Sequence, residues 1–433
     1  MIIDYKVTNF RSFKNETTYS LKAGAEKTHN ENLIRKKGLR ILPCSVIYGA
    51  NASGKSNLIM SLSIMRDIIL NGNLNTGSYE SKTIELFPFA YQEEENPIKF
   101  EINFINQNKN YKYSFSIKTK FLSKEKEIFS EKLDIIDSKK NEINIFKREK
   151  NKVIINTNQR ALRKIKMKKD FLTKIQQQLN SNLDKETLFL TGGFKNIISN
   201  KITDTIIDFF KNKLIVVSDF TIKKASLKFQ QNEIKKDNVF IWNKILDGFF
   251  KSSDFGPQKV AFHKRKKLEE NQDESEFQLV SIYNNTVIPA ELMESRGTLK
   301  LIDFALMFEQ LFQKGGTLVI DEFDSAIHPE LIKGIISLFN NQNINKIGAQ
   351  LVFTTHNPIY LNNKIFRRDQ INFVEKDTDT YESIIYRLSD FGSEEVRNDH
   401  NYLINYFKGN YGALPYVDFT KFINLQESEK KND

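Results

Sequence analysis

The chain has 433 residues and carries 65 basic against 54 acidic side chains, a formal net charge of +11. Hydrophobic residues make up 39% and charged ones 27%, the balance of a globular protein with a sizeable core rather than a disordered chain. No apolar run reaches the ~18 residues of a membrane helix, residues 1–10 lack the features of a secretory signal, and the single Cys44 excludes an internal disulfide, so a cytoplasmic setting without membrane contact is expected.

In chain order, residues 1–10 alternate, with Ile3, Tyr5 and Val7 on one side of a half-buried strand. Cys44 lies in an apolar run and reads as a small core residue. Gly49-Ala50-Asn51-Ala52-Ser53-Gly54-Lys55-Ser56 then forms a complete G-x-x-x-x-G-K-S between a short strand, 45–48, and a helix over 57–70. Backbone amides of such a loop close around phosphate oxygens, and the helix N-terminus adds partial positive charge. Lys55 is suited to nucleotide β- and γ-phosphates and Ser56 to Mg²⁺, with Gly49, Asn51, Ala52, Ser53, Gly54 and Asn57 completing the binding loop. A plain glycine turn joining strand to helix is the alternative.

Alternation recurs at 98–105 and 111–117, separated by a turn-prone 106–110. Residues 137–250 read as a lysine-rich helical insertion, with Leu162, Ile165, Met167, Phe171, Ile175 and Leu179 at helical spacing but no sustained heptad. Basic clusters at 147–152, 160–169 and 263–267 suit either phosphate backbones or a solvated surface, so contact with nucleic acid stays open. The acidic stretch 269–276 reads as a surface loop, and α/β character returns from Phe277.

A strand at 317–320 follows Gly315 and Gly316 and ends in Asp321-Glu322. Open α/β sheets place ligands at that end of their strands. There Asp321 could hold Mg²⁺ through water, and Glu322 could orient and deprotonate an attacking water. A further strand, 349–355, runs into His356, either a structural strand tip or a sensor of the γ-phosphate. Glu375, Asp377 and Asp379 would share one face if extended, but read as a hairpin turn through 377–380 rather than a metal site.

The order of phosphate-binding loop, Asp-Glu after an apolar strand, and a strand-terminal His resembles the ABC-type ATPases. Their Ser-x-Gly signature before a helix is matched by Glu294-Ser295-Arg296-Gly297-Thr298, followed by Leu301, Ile302, Ala305, Phe308 and Phe312 at helical spacing. Ser295 would also cap that helix. The resemblance implies an α/β P-loop head with a mixed sheet and flanking helices, ATP and Mg²⁺ as ligands, and Glu322 and His356 as catalytic residues. In the family the signature acts on ATP held by the other subunit, so Ser295, Gly297, Thr298 and the dimer-contact Asp324 imply a homodimer or higher homo-oligomer.

The long separation of Lys55 from Asp321, Asn51, and the opening 8–14 segment resemble the SMC, RecF and OLD-type branch. Residues 294–298, 321–329 and 409–415 resemble bacterial AAA ATPases of phage-defence and abortive-infection systems, of the RloA and AbiL types. A defence switch with a separately encoded nuclease- or toxin-like effector is implied; a RecF-like DNA-repair ATPase is the competing reading. The division expected is 1–140 and 255–433 for the head lobes, with a mainly helical insertion at 141–254. One departure from the family's pattern is that no Q-loop glutamine stands out, Gln92 being no more than a candidate, and residues 411–415 read as a surface element before a frayed tail.

Overall fold

Alternating strands and uniformly apolar strands alike are present in the chain, and they build the two largest of the four sheets among the described residues. The computed structural model describes residues 1–74, 86–91, 96–119, 125–218, 240–242, 248–249, 251, 259–266, 275–284, 286–392, 396, 400–415 and 420. The N-terminal part contains β1 (Ile2–Thr8), β2 (Thr17–Ser20), β3 (Ile34–Lys36), β4 (Leu39–Ile41), β5 (Cys44–Tyr48) and α1 (Lys55–Asn71). Then come β6 (Ile98–Asn106), β7 (Lys109–Thr119), β8 (Lys126–Ile136), β9 (Glu142–Glu149) and β10 (Lys152–Ile155). Helices α2 (Gln159–Ile165), α3 (Lys169–Ser181) and α4 (Asn200–Asp208) precede β11 (Leu214–Val217). The C-terminal half holds β12 (Phe240–Trp242), β13 (Lys259–Lys266), β14 (Ser275–Tyr283), β15 (Thr286–Pro289), α5 (Arg296–Lys314) and β16 (Gly316–Ile320). It continues with α6 (Pro329–Asn340), β17 (Ala349–Thr354), β18 (Ile371–Lys376), β19 (Ser383–Arg387) and α7 (Tyr402–Phe407).

Seven strands form an antiparallel sheet in the order β10-β9-β8-β7-β6-β1-β2. A second sheet runs β11-β16-β17-β5-β18-β19, parallel except for β19. Every residue of β5, β16 and β17 is buried, as expected of parallel strands covered on both faces. Their side chains divide two cores. Ile47, Val319, Val352 and Val374 face α1 and the antiparallel sheet, whereas Val46, Leu318, Ile320, Leu351 and Phe353 face α5 and α6. The chain is thus the expected α/β P-loop fold, a mixed sheet with flanking helices. Among the described residues, no helix is long and apolar enough to cross a membrane.

Gln350 joins the two sheets. Its carboxamide accepts from the Ile2 amide at 2.7 Å and the Thr317 hydroxyl at 2.7 Å, and donates to the Ile2 carbonyl at 2.9 Å. At the far end of α1, Leu188 N donates to Gly72 O and Leu74 N to Glu186 O, both at 2.9 Å. Buried Arg148 holds the same 184–188 segment through the Asp184 and Thr187 carbonyls, each at 2.6 Å.

The segment expected to be helical is only partly so. β9 and β10 extend the antiparallel sheet, because Ile143, Ile145, Val153 and Ile155 alternate inward with period two. β11 enters the parallel sheet beside β16. The continuous helical spacing at 162–179 is broken at Lys166, whose φ of 59° ends α2. Leu172 takes the buried position expected of Phe171, which is exposed. Tyr411 and Ala413, expected at the surface, are buried; Tyr411 packs 5.9 Å from the Phe373 ring, and its carbonyl accepts from Tyr386 Oη at 2.8 Å. The turn through 377–380 forms as expected, with Asp377 Oδ1 accepting from Asp379 N, Thr380 N and Thr380 Oγ1. Ser275 and Glu276 of the expected acidic loop open β14, while residues 269–274 and Gln92 lie outside the described residues, as does the tail from 421.

Replacing Gln350 by Leu removes both its donors and its acceptor while leaving the Ile2 peptide buried. The variant should lose about 1–3 kcal/mol of stability, read as a lowered urea midpoint. An unchanged midpoint would show that the sheets do not depend on this side chain.

Candidate functional site

β5 delivers the chain into the loop 49–54, and α1 begins directly after it at Lys55. The loop is tight. A Cβ on Gly49 would lie 2.3 Å from the Val374 carbonyl oxygen and 2.6 Å from Ser53 Oγ, so no larger residue fits without backbone movement. Ala52 adopts the left-handed conformation, φ 61°, which turns successive amides toward a common centre. The first amides of α1 have no partner within the helix and supply the positive end of its dipole. Lys55 is 4% exposed, and its Nζ donates to the Gly49 and Ala50 carbonyls at 2.9 Å each. Burial pushes this ammonium down to about 8, opposed by the carboxylates of Asp321 and Glu322. Ser53 Oγ is buried with no hydrogen-bond partner among the described residues, whereas Asn51 and Ser56 are exposed. Asn57 Nδ2 donates to Ser12 Oγ at 2.9 Å.

The parallel register brings the other motifs alongside. Ile320 pairs with Phe353, and Thr354 pairs with Ile47, so the carboxyl ends of β16, β17 and β5 lie side by side. Thr354 Oγ1 donates to Asp321 Oδ1 at 2.5 Å and accepts from the Glu322 amide at 2.8 Å. Glu322 takes φ 48°, and Lys300 of α5 donates to its carbonyl at 2.8 Å and to the Ser325 carbonyl at 3.2 Å. His356 Nε2 stands 3.9 Å from Glu322 Oε1, with both side chains partly exposed. Burial and then the Lys55 charge hold His356 below its ordinary value, favouring neutral imidazole. Asp324 turns inward to accept from Thr355 Oγ1 at 2.8 Å, and burial raises its carboxyl.

The signature-like residues are organised differently. Ser295 Oγ caps α5, accepting from the Thr298 amide at 3.1 Å and lying 2.9 Å from Thr298 Oγ1. A Cβ on Gly297 would come within 2.1 Å of the Ala326 carbonyl, so close packing of α5 on the loop after β16 requires glycine there. These contacts lead to the loop after β16 and not to residues 49–56. The structure therefore gathers Lys55, Asp321, Glu322, Asp324 and His356 around one end of the sheet, while Ser295, Gly297 and Thr298 open α5 against the loop that follows β16, with Gly297 and Thr298 buried.

Sequence reasoning missed Thr354 and Lys300. A hydroxyl at the tip of an otherwise apolar strand, one residue before Thr355-His356, was the available signal for the first. For Lys300 it was a cation beside Leu299, Leu301 and Ile302 on the apolar stripe of α5.

Residues 44–362 match the family model described as "AAA domain, putative AbiEii toxin, Type IV TA system". A search of curated proteins finds no match. Among solved structures, the chain is similar to an Smc head bound to the C-winged helix domain of ScpA, at 14% identity and a TM-score of 0.40, over 89% of this chain and 97% of that one. It is similar also to the SMC head domain from Thermotoga maritima, at 14% identity and a TM-score of 0.36, over 89% and 98%. A third is the Smc head with an extended coiled coil bound to the C-terminal domain of ScpA derived from Pyrococcus furiosus, at 14% and 0.41, over 89% and 96%. With the glycine-rich loop 49–56, the Asp-Glu pair and the strand-terminal histidine all inside the matched span, the chain belongs to this AAA-domain family of P-loop ATPases.

Proposed function

We propose that the chain binds ATP with Mg²⁺ and hydrolyses it slowly in a head-to-head dimer, as the switch subunit of a bacterial defence complex with a separately encoded effector. The convergence of Lys55, Asp321, Glu322 and His356 at adjacent strand ends carries this reading. The residues fit a triphosphate. The Gly49 cradle, the partnerless Ser53 hydroxyl and a buried ammonium resting on loop carbonyls are all suited to phosphate oxygens. Ser56 and Asp321 would hold Mg²⁺, which neutralises phosphate charge when bound.

Glu322 is assigned as general base. It would take a proton from a water that attacks the γ-phosphorus, as the bond to the bridging oxygen breaks and ADP leaves. Thr354 keeps Asp321 and the Glu322 backbone in place, and His356, held neutral, can donate to a γ-phosphate oxygen. For the dimer, the support is at the signature. Leu292 and Met293, immediately before the Ser295 cap, are 79% and 51% exposed, an apolar surface suited to a second copy. Defence and an effector rest on the family, whose description names a toxin–antitoxin system.

Three outcomes are expected. Lys55 must be charged to hold phosphate, and it loses its proton near 8 rather than in the usual lysine range. ATP affinity, measured by calorimetry, should therefore decline as pH rises above about 8, with proton uptake on binding; a flat profile would remove the assigned role.

Glu322→Gln should bind ATP as the wild type does, with turnover lowered by about 10²–10⁴-fold. Undiminished turnover would place the base elsewhere.

Ser295→Asp retains a helix cap but sets a negative charge where a partner's γ-phosphate would lie. Mixed with Lys55→Ala subunits, it should regain part of the turnover, because one of the two composite sites is then intact. A monomer at all concentrations, with no recovery on mixing, would end the sandwich model.

A further inference from the structure

The basic cluster at 160–169 has no part in the nucleotide site, yet it meets other lysines far away in sequence. Two neighbouring cavities share a wall made by Lys109, the first residue of β7, and Lys164 of α2. The first, of about 360 Å³, adds Lys166 and Lys201. The second, of about 430 Å³, adds Lys37 and Lys140. Among the described residues, none of these six ammonium groups has a carboxylate partner. The two acids in the second wall are already engaged: Asp137 Oδ1 accepts from the Lys139 and Asn141 amides, and Glu142 binds Lys112 Nζ at 3.0 Å.

Like charges gathered this closely repel one another. Burial and then Lys201, Lys164 and Lys166 hold the Lys109 ammonium below its ordinary range. A ligand with regularly repeated negative charge would offset that repulsion along the whole cleft, and duplex nucleic acid carries one charge per ~1.7 Å of axis. Lys22 and Lys195, which also line the cavities, are paired with Asp4 and Asp204; the other lining residues are aliphatic, amide and serine, including Ile165, Ile198 and Asn200, with no aromatic ring on which an unpaired base could stack. We propose that the cleft formed by Lys37, Lys109, Lys140, Lys164, Lys166 and Lys201 binds the phosphate backbone of double-stranded nucleic acid, without reading its sequence. The surface shares no residue with the assigned ATP site, so its occupancy and turnover can be measured separately.

The test is fluorescence anisotropy of the full chain with labelled duplex DNA and duplex RNA of about thirty base pairs, across a salt series, beside a single strand of equal length. Lys109→Ala/Lys164→Ala should weaken duplex binding roughly tenfold and make the log affinity–log salt slope shallower by about 2, with ATP turnover unchanged. A control of equal charge loss on another face, Lys346→Ala/Lys364→Ala, should leave both nearly as in the wild type. The proposal is overturned if the wild type binds neither duplex, if both double variants weaken binding equally or not at all, or if the single strand binds more tightly than either duplex.

Discussion

Everything at the candidate site depends on the register of three parallel strands. β16, β17 and β5 pair so that Ile320 lies beside Phe353 and Thr354 beside Ile47. Parallel strands advance ~3.3 Å per residue and alternate faces. A slip of one residue would therefore turn apolar side chains the wrong way in both cores, and a slip of two would carry the Asp321-Glu322 pair away from Thr354. Full burial of all three strands makes such slips costly, which is how a hydrophobic pattern comes to fix the positions of charged groups.

Several polar residues inside this apolar scaffold have specific partners. Ser45 Oγ donates to the Gln370 carbonyl at 3.1 Å, and Gln350 links β1 to the parallel sheet. Buried donors and acceptors with partners cost little, whereas the same groups without them would cost more than a typical methyl gains. Among the described residues the Ser53 and Tyr48 hydroxyls are buried without a partner, and Ser53 lies inside the loop 49–54.

Much of the site was legible because its motifs are local. Gly49 to Ser56, Asp321-Glu322 and His356 are each set by a strand ending in a turn, a pattern readable within ten residues. What was not legible depends on distant segments. Arg148 looks like one more surface cation in the basic 147–152 run, but it is fully buried because its guanidinium meets backbone carbonyls at positions 150, 184 and 187. Charge density around it concealed the period-two alternation of β9 and β10. Tyr411 lies between Gly409-Asn410 and Gly412 and so resembled surface; its burial is set by Phe373 and Tyr386, nearly forty and twenty-five residues earlier. Gly297 was read for its possible contact with a partner's phosphate, yet its own Ala326 carbonyl already forbids a side chain there.

Helix α1 spans 17 residues, a rod of roughly 25 Å. One end is the loop 49–54; the other is stitched at Gly72 and Leu74 to the 184–188 segment that Arg148 clamps to the antiparallel sheet. A helix resists compression along its axis, and its hydrogen bonds resist bending. The loop and the clamp are therefore two ends of a single lever, and a displacement of Lys55 along that axis cannot be absorbed midway. It has to emerge at Gly72, where the chain leaves the helix with φ 76°.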